Sequence, residues 1–229
     1  MPSVLRKVLR KASRPVVWAY YATLYGRRLP GAAGMDAWMR RLEAVGERGD
    51  VPVGQQTWEE QYREGRWAGL RGADEVARYG VLIGFLEQLT AARSILDVGC
   101  GEGILRDLLG PGRYARYEGI DLSAVAIESA RRGVGAADRL LVADAETYVP
   151  EGTFDAVVLN ESLYYLADPR GQARRYLGFV RPGGLLLVSM FHSVRTAAIL
   201  RALEAELPLV DRVRVSGRKG SWAIAAFRG

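Results

Sequence analysis

Three aspartates sit where short apolar runs stop. Asp97 is the fourth residue of "SILDV", Asp121 ends "YEGID", and Asp144 follows "LLVA". Strand-like runs that finish on an acid place that acid at the edge where open parallel sheets bind ligands. Directly after the first run comes a turn of alternate glycines, Gly99, Gly101 and Gly103, with Cys100 inside it. Glycine suits a turn pressed against a bound molecule, because a Cβ would block the approach. The chemistry this implies is a nucleoside cradle. Asp121, with Leu122 beside it, lies 24 residues past Asp97, where an acid can accept both hydroxyls of a ribose.

Two common nucleotide sites are excluded by the residues that follow. A dinucleotide turn, G-x-G-x-x-G, needs a third glycine where Ile104 stands. A P-loop needs a lysine, and Gly103 is followed by Ile, Leu and Arg. The pattern is D-x-G-x-G-x-G instead.

A second group of reactive side chains follows the run "FDAVVLN": Asn160, Glu161, Tyr164, Tyr165 and Asp168. His192, the chain's one histidine, comes just past a further run in "SMFHS". An imidazole titrating near neutrality suits a general base, so His192 is a catalytic candidate, with a sheet-edge histidine of no role as the rival. Glu161 is the second catalytic candidate, or a structural acid beside the ligand. The plainer alternatives are packing for the tyrosines, a cap or loop role for Asp155, and a small buried side chain for Cys100. No cluster of Asp, His or Cys has metal-ligand spacing, so no metal is expected.

The elements that must position these residues follow from periodicity. Strands are expected at 94–98, 116–121, 139–143, 154–160 and 184–190, alternating with helices at 103–110, 123–132, 171–180 and 194–207. Such alternation implies a parallel sheet. Two last strands, "VDRVRVS" and "SWAIAAF", joined by "GRKG", predict an antiparallel hairpin on it. Gly183 and Gly184 read as a purely structural turn. Ahead of the sheet lie helices at 57–64 and 73–90. Three regions result: a basic helical arm over 1–50, a helical cap over 51–92, and a ligand-binding α/β domain over 93–229.

The motif D-x-G-x-G-x-G, with Asp121, Asp144 and "VRPGGLLLVSM" in order behind it, resembles the class I S-adenosylmethionine-dependent methyltransferases. That resemblance covers residues 57–229. It implies a Rossmann-like sheet of seven mostly parallel strands with an antiparallel C-terminal hairpin. It implies S-adenosylmethionine as cofactor, with its methionine part at the turn of Asp97, Gly99, Cys100, Gly101 and Gly103. The ribose falls to Asp121 and Leu122, the adenine to Asp144 and Ala145, and Asn160 lies beneath the methyl donor. The segment 58–89 is loosely similar to the lid of nodulation N-methyltransferases and of bacterial sugar and natural-product methyltransferases. Trp67, Arg78 and Tyr164 become lid or substrate residues there. Arg78 is a candidate for the methionine carboxylate, or simply an ion pair with Glu75 one turn back.

The expected acceptor is a hydroxyl or amine of a small molecule, a sugar or secondary metabolite. The alternatives are a non-catalytic relative that binds the cofactor, or an enzyme of RNA or of a lipid-linked substrate. The N-P-P-Y of amino-group nucleic-acid methylases is absent, since "NESL" stands there. Charge argues the same way. Residues 1–35 hold seven basic and no acidic side chains within a net charge of +6, so the rest of the chain carries about −1. A phosphate-tracking surface is therefore not expected on the catalytic body. The arm has two readings. Val4, Leu5, Val8, Leu9 and Ala12 form one helical face and basic residues the other, as in a helix lying on an anionic membrane through residues 1–30. The preferred reading packs the arm on the body or on a second subunit of a homodimer. One cysteine and no membrane-spanning run predict a cytoplasmic protein, with peripheral membrane contact as the variant.

Overall fold

A computed structural model describes residues 15–27, 34–36, 38–39, 54–89 and 93–229. The amphipathic pattern at 4–12 and most of the linker read at 46–55 lie outside the described residues. Seven strands form one sheet: β1 Ser94–Val98, β2 Arg116–Asp121, β3 Asp138–Val142, β4 Phe154–Asn160, β5 Val180–Phe191, β6 Leu209–Gly217 and β7 Gly220–Arg228. Their order is β3-β2-β1-β4-β5-β7-β6. The first five run parallel, β7 is antiparallel to β5, and β6 pairs antiparallel on the outer edge. The order reverses at β1, so the crevice at the carboxyl ends of β1 and β4 is the place for a ligand.

From residue 54 onward six α-helices flank the sheet among the described residues: α1 Gln55–Arg63, α2 Ala73–Glu87, α3 Ile104–Leu109, α4 Ala124–Ala130, α5 Pro169–Leu177 and α6 Val194–Glu206. Alternation along each strand divides the core in two. Leu96, Val98, Val157 and Leu159 pack with Tyr176, Ile199 and Leu203 of α5 and α6. Ile95, Tyr117, Ala156 and Val158 pack with Leu82, Leu86, Leu105 and Ile127 on the other face.

The strands at 94–98, 116–121 and 154–160 match the expected bounds, and the differences have local causes. α5 begins at Pro169 rather than 171, because Asp168 caps it by accepting from Gly171 N (3.0 Å) and proline suits the first helical position. β5 starts at Val180, opposite Phe154, and a bulge absorbs the Gly183–Gly184 turn inside the strand. Gly217 pairs with Gly220, so the hairpin turn is the two residues Arg218 and Lys219, not four. At the N-terminus, residues 15–23 form a helix whose Tyr20 and Tyr21 pack with Met39 against Ala198 of α6. Arg201 donates to Tyr21 O at 2.9 Å.

Candidate active site

A cavity of about 640 Å³ opens at the carboxyl ends of β1, β2, β4 and β5. Its floor is the glycine turn. Gly99, Gly101 and Gly103 have φ of 75°, 54° and 75°, the left-handed region that costs an L side chain about 1–2 kcal/mol. The space freed by two of them is already used. A Cβ on Gly99 would lie 2.6 Å from Ser162 Cβ, and one on Gly101 would lie 2.8 Å from the Tyr62 hydroxyl. The turn is thus shaped to accept Ser162, just past β4, and Tyr62 of α1. Gly99→Ala is expected to destabilise the fold by about 2–4 kcal/mol, from backbone strain plus overpacking. Denaturant titration checks it. Cys100 is buried, and that burial raises its thiol pKa well above the ordinary value, so it is no nucleophile.

The acids differ in their surroundings. Asp121 lines the cavity and accepts from Gly101 N through Oδ2 and from Ser123 N through Oδ1, both at 2.9 Å. Burial raises its pKa, and those two N–H groups oppose the rise. Leu122, Asp144 and Ala145 line the same end of the cavity, and Asp144 Oδ1 accepts from Glu146 N at 2.8 Å. Asp97 does not line the cavity. It shares the Ile95 side of β1, accepts from the Tyr117 hydroxyl at 2.5 Å, and burial pushes its carboxyl up to about 7. Its Oδ1 is buried with no hydrogen-bond partner among the described residues. The structure therefore corrects the first-contact position expected of Asp97: it stands behind the turn.

At the other end stand Asn160, Glu161, Tyr164, Phe191, Lys219 and Trp222. Glu161 has φ 59°, the one positive φ outside glycine among the described residues. Its carboxylate accepts from Tyr164 Oη (2.9 Å), Ser189 Oγ (3.1 Å) and Phe191 N (3.1 Å). Burial pushes its pKa up to about 7, against the pull of Arg78 and of these donors. Arg78 is itself buried. It donates to Glu75 Oε2 at 3.0 Å and to Asn160 Oδ1, 82 residues away in sequence. Arg78 pairs with Glu75 and also lines the cavity.

The roof is aromatic. Trp58 of α1 packs against Trp67 (5.8 Å between rings) and Tyr165 (4.9 Å), and Tyr62 and Trp67 line the cavity. Glu59, which the sequence reading did not single out, ties this roof down. Its carboxylate accepts from Ala124 N (2.8 Å) and Val125 N (3.3 Å) at the start of α4. Lys219 was also missed. From the hairpin tip it reaches Gly69 O and Glu75 Oε1, each at 3.3 Å. A lone acid on a helix and a turn lysine carry no signal before the sheet is assembled.

His192 is the main correction. It is exposed and lies outside the cavity, while its neighbour Phe191 lines it. β5 ends at Phe191, so His192 is the first residue past the strand, where its backbone N–H donates to Ser221 O at 2.7 Å. Desolvation first and Arg214 second hold the imidazole below its usual pKa. His192→Ala is expected to leave turnover within about twofold across pH, as for a surface substitution. Asp168 and Asp155 are structural. The first caps α5, and the second accepts from Ser94 N at 2.5 Å inside β4 and pairs with Arg181. Among the described residues no three His, Cys, Asp or Glu side chains are grouped to hold a metal.

Known proteins were compared with this arrangement. Ubiquinone biosynthesis O-methyltransferase of Ralstonia nicotianae is 33% identical over 124 residues, 52% of each chain. Trans-aconitate 2-methyltransferase of Methylobacterium radiotolerans is 34% identical over 141 residues, 58% of this chain and 53% of that one. The chain spans about half the length of the curated relatives it matches. The N-methyltransferase NodS of Bradyrhizobium japonicum, solved with S-adenosylhomocysteine, has the same fold: TM-score 0.64 at 24% identity, covering 71% of this chain and 91% of that one. The sequence model of the methyltransferase domain matches residues 62–222, from the lid tyrosine to the last strand. On that match, over well more than half its length, the chain belongs to the methyltransferase-domain family.

Proposed function

We propose that this protein transfers a methyl group from S-adenosylmethionine to a hydroxyl or amine of a small molecule. One observation carries the reading: a single cavity is lined at one end by Asp121 and Asp144 and at the other by Glu161. The bound donor supplies a methyl already activated on a sulfonium. What remains for the chain is to hold the parts in line, exclude water and move a proton.

Asp121 keeps free lone pairs for two ribose hydroxyls while its two backbone donors fix its orientation. Asp144 and Ala145 take the adenine edge. Asp97 stands behind the turn on the Tyr117 hydroxyl and supports it from below the ligand. Arg78 uses three hydrogen bonds on Glu75 and Asn160, and its cavity-facing side takes the donor carboxylate. The stretch 51–92 acts as a lid, with Trp58, Tyr62 and Trp67 closing over the donor and Glu59 as its fastening. Glu161 is the general base. Its pKa near 7 matches the task of taking a proton from a hydroxyl or an ammonium at neutral pH.

A small acceptor is supported from two sides. Phe191, Tyr164 and Trp222 wall the Glu161 end, a pocket for an apolar body rather than a polyanion. The named relatives act in ubiquinone biosynthesis and on trans-aconitate. Calorimetry with S-adenosylhomocysteine tests the donor assignment, and labelled methyl transfer to a panel of amines and alcohols tests turnover. Binding without turnover on any acceptor would favour a cofactor-binding protein that has lost catalysis. Binding of a nicotinamide coenzyme in place of S-adenosylhomocysteine would overturn the reading altogether.

A further inference from the structure

We infer that the N-terminal layer docks on an anionic lipid surface through the outer face of the helix at 15–23. This surface lies apart from the cavity, and the inference is independent of the methyl-transfer reading. One side of the helix is committed: Tyr20 and Tyr21 are buried against Ala198 of α6 and beside Met39. The opposite side carries Pro15, Val16, Trp18, Ala19 and Thr23, all exposed and none charged. Thr23 turns its hydroxyl back to Ala19 O at 2.6 Å, so that face offers little but hydrocarbon and an indole. Trp18 is 58% exposed and Val16 47%; in the same layer Trp38 is 52% and Met35 40% exposed. Of the fourteen large apolar side chains left exposed among the described residues, five fall before residue 40, three of them on or just past this helix.

Charge selects the occupant. Residues 1–35 hold Arg6, Lys7, Arg10, Lys11, Arg14, Arg27 and Arg28 and no acid, a stretch of chain whose charge opposes a second copy of itself and favours an anionic surface. An anionic bilayer takes both features together: apolar side chains and tryptophan enter the interface, and cations are drawn to the anionic headgroups. No helix among the described residues is long and apolar enough to cross a membrane, so the contact is peripheral.

The test is sedimentation of the full chain with vesicles of equimolar phosphatidylglycerol and phosphatidylcholine, and with phosphatidylcholine alone. Partition onto the anionic vesicles is expected to be at least about tenfold stronger, and to weaken as salt rises from about 0.1 M to about 1 M. The double variant Val16→Ser, Trp18→Ser is expected to lose about tenfold in partition while its circular dichroism and S-adenosylhomocysteine binding stay unchanged. Equal partition on both vesicle types would overturn the inference, as would undiminished binding by the double variant. So would a wild-type dimer that the double variant converts to monomer in the absence of lipid, since a second copy then covers the face.

Discussion

Glu161→Gln lowers kcat/KM for methyl transfer by about 10²–10⁴-fold, the usual share of a general base. It leaves S-adenosylhomocysteine affinity within about twofold. The reason lies in one side chain that accepts from three donors, sits on a left-handed backbone and titrates near 7. Below that pH the carboxyl holds its proton and cannot take another, so wild-type kcat/KM falls about tenfold per unit as pH drops under 7 and is flat above it. The amide has no such limb.

Stability moves in the opposite sense. The folded pKa of about 7 lies above the ordinary glutamate value of about 4.3, so the native state holds the proton more tightly than the unfolded chain. Glu161 then costs nothing below about pH 4 and lowers stability as pH rises from there to about 7. The Gln variant lacks that decline. A variant that is less active yet less destabilised at alkaline pH separates a catalytic carboxylate from a structural one. Unchanged kcat/KM in the variant would remove Glu161 from the reaction.

Asp121→Ala weakens donor binding by about 10²–10⁴-fold. Hydrogen bonds to a charged group contribute about 1.5–3 kcal/mol each, and two ribose hydroxyls are lost together. The glycine turn also loses its anchor at Gly101 N, and the start of the α4 loop its anchor at Ser123 N. Asparagine does not rescue. One side-chain atom must be NH₂, and it would face one of those two backbone N–H groups, donor against donor. Calorimetry with S-adenosylhomocysteine reads both variants. Affinity within about twofold of wild type would take the ribose away from Asp121.

Local pattern alone carried much of this protein. Apolar runs with period-2 and period-3.6 spacing located the strands at 94–98, 116–121 and 154–160 and the alternation of helix and strand. From these follow the parallel sheet and the placement of Asp121, Leu122, Asp144 and Asn160 at strand ends around one cavity. The glycine turn was legible for the same reason: positive φ is written in residue type. Finer choices were not legible. Whether Phe191 or His192 meets the cavity depends on where β5 stops and on its register with β7, in which Phe191 is the last paired residue, opposite Trp222. Asp97 ended behind the turn because its side of β1 faces Tyr117. Arg78 meets Asn160, Lys219 meets Glu75, and Glu59 meets Ala124 across 82, 144 and 65 residues. Strand ends and turns are properties of a few neighbouring residues. Which side chains share a cavity is decided by pairing register and by how α1, α2 and the β6–β7 hairpin close over the sheet, and no local segment contains that information.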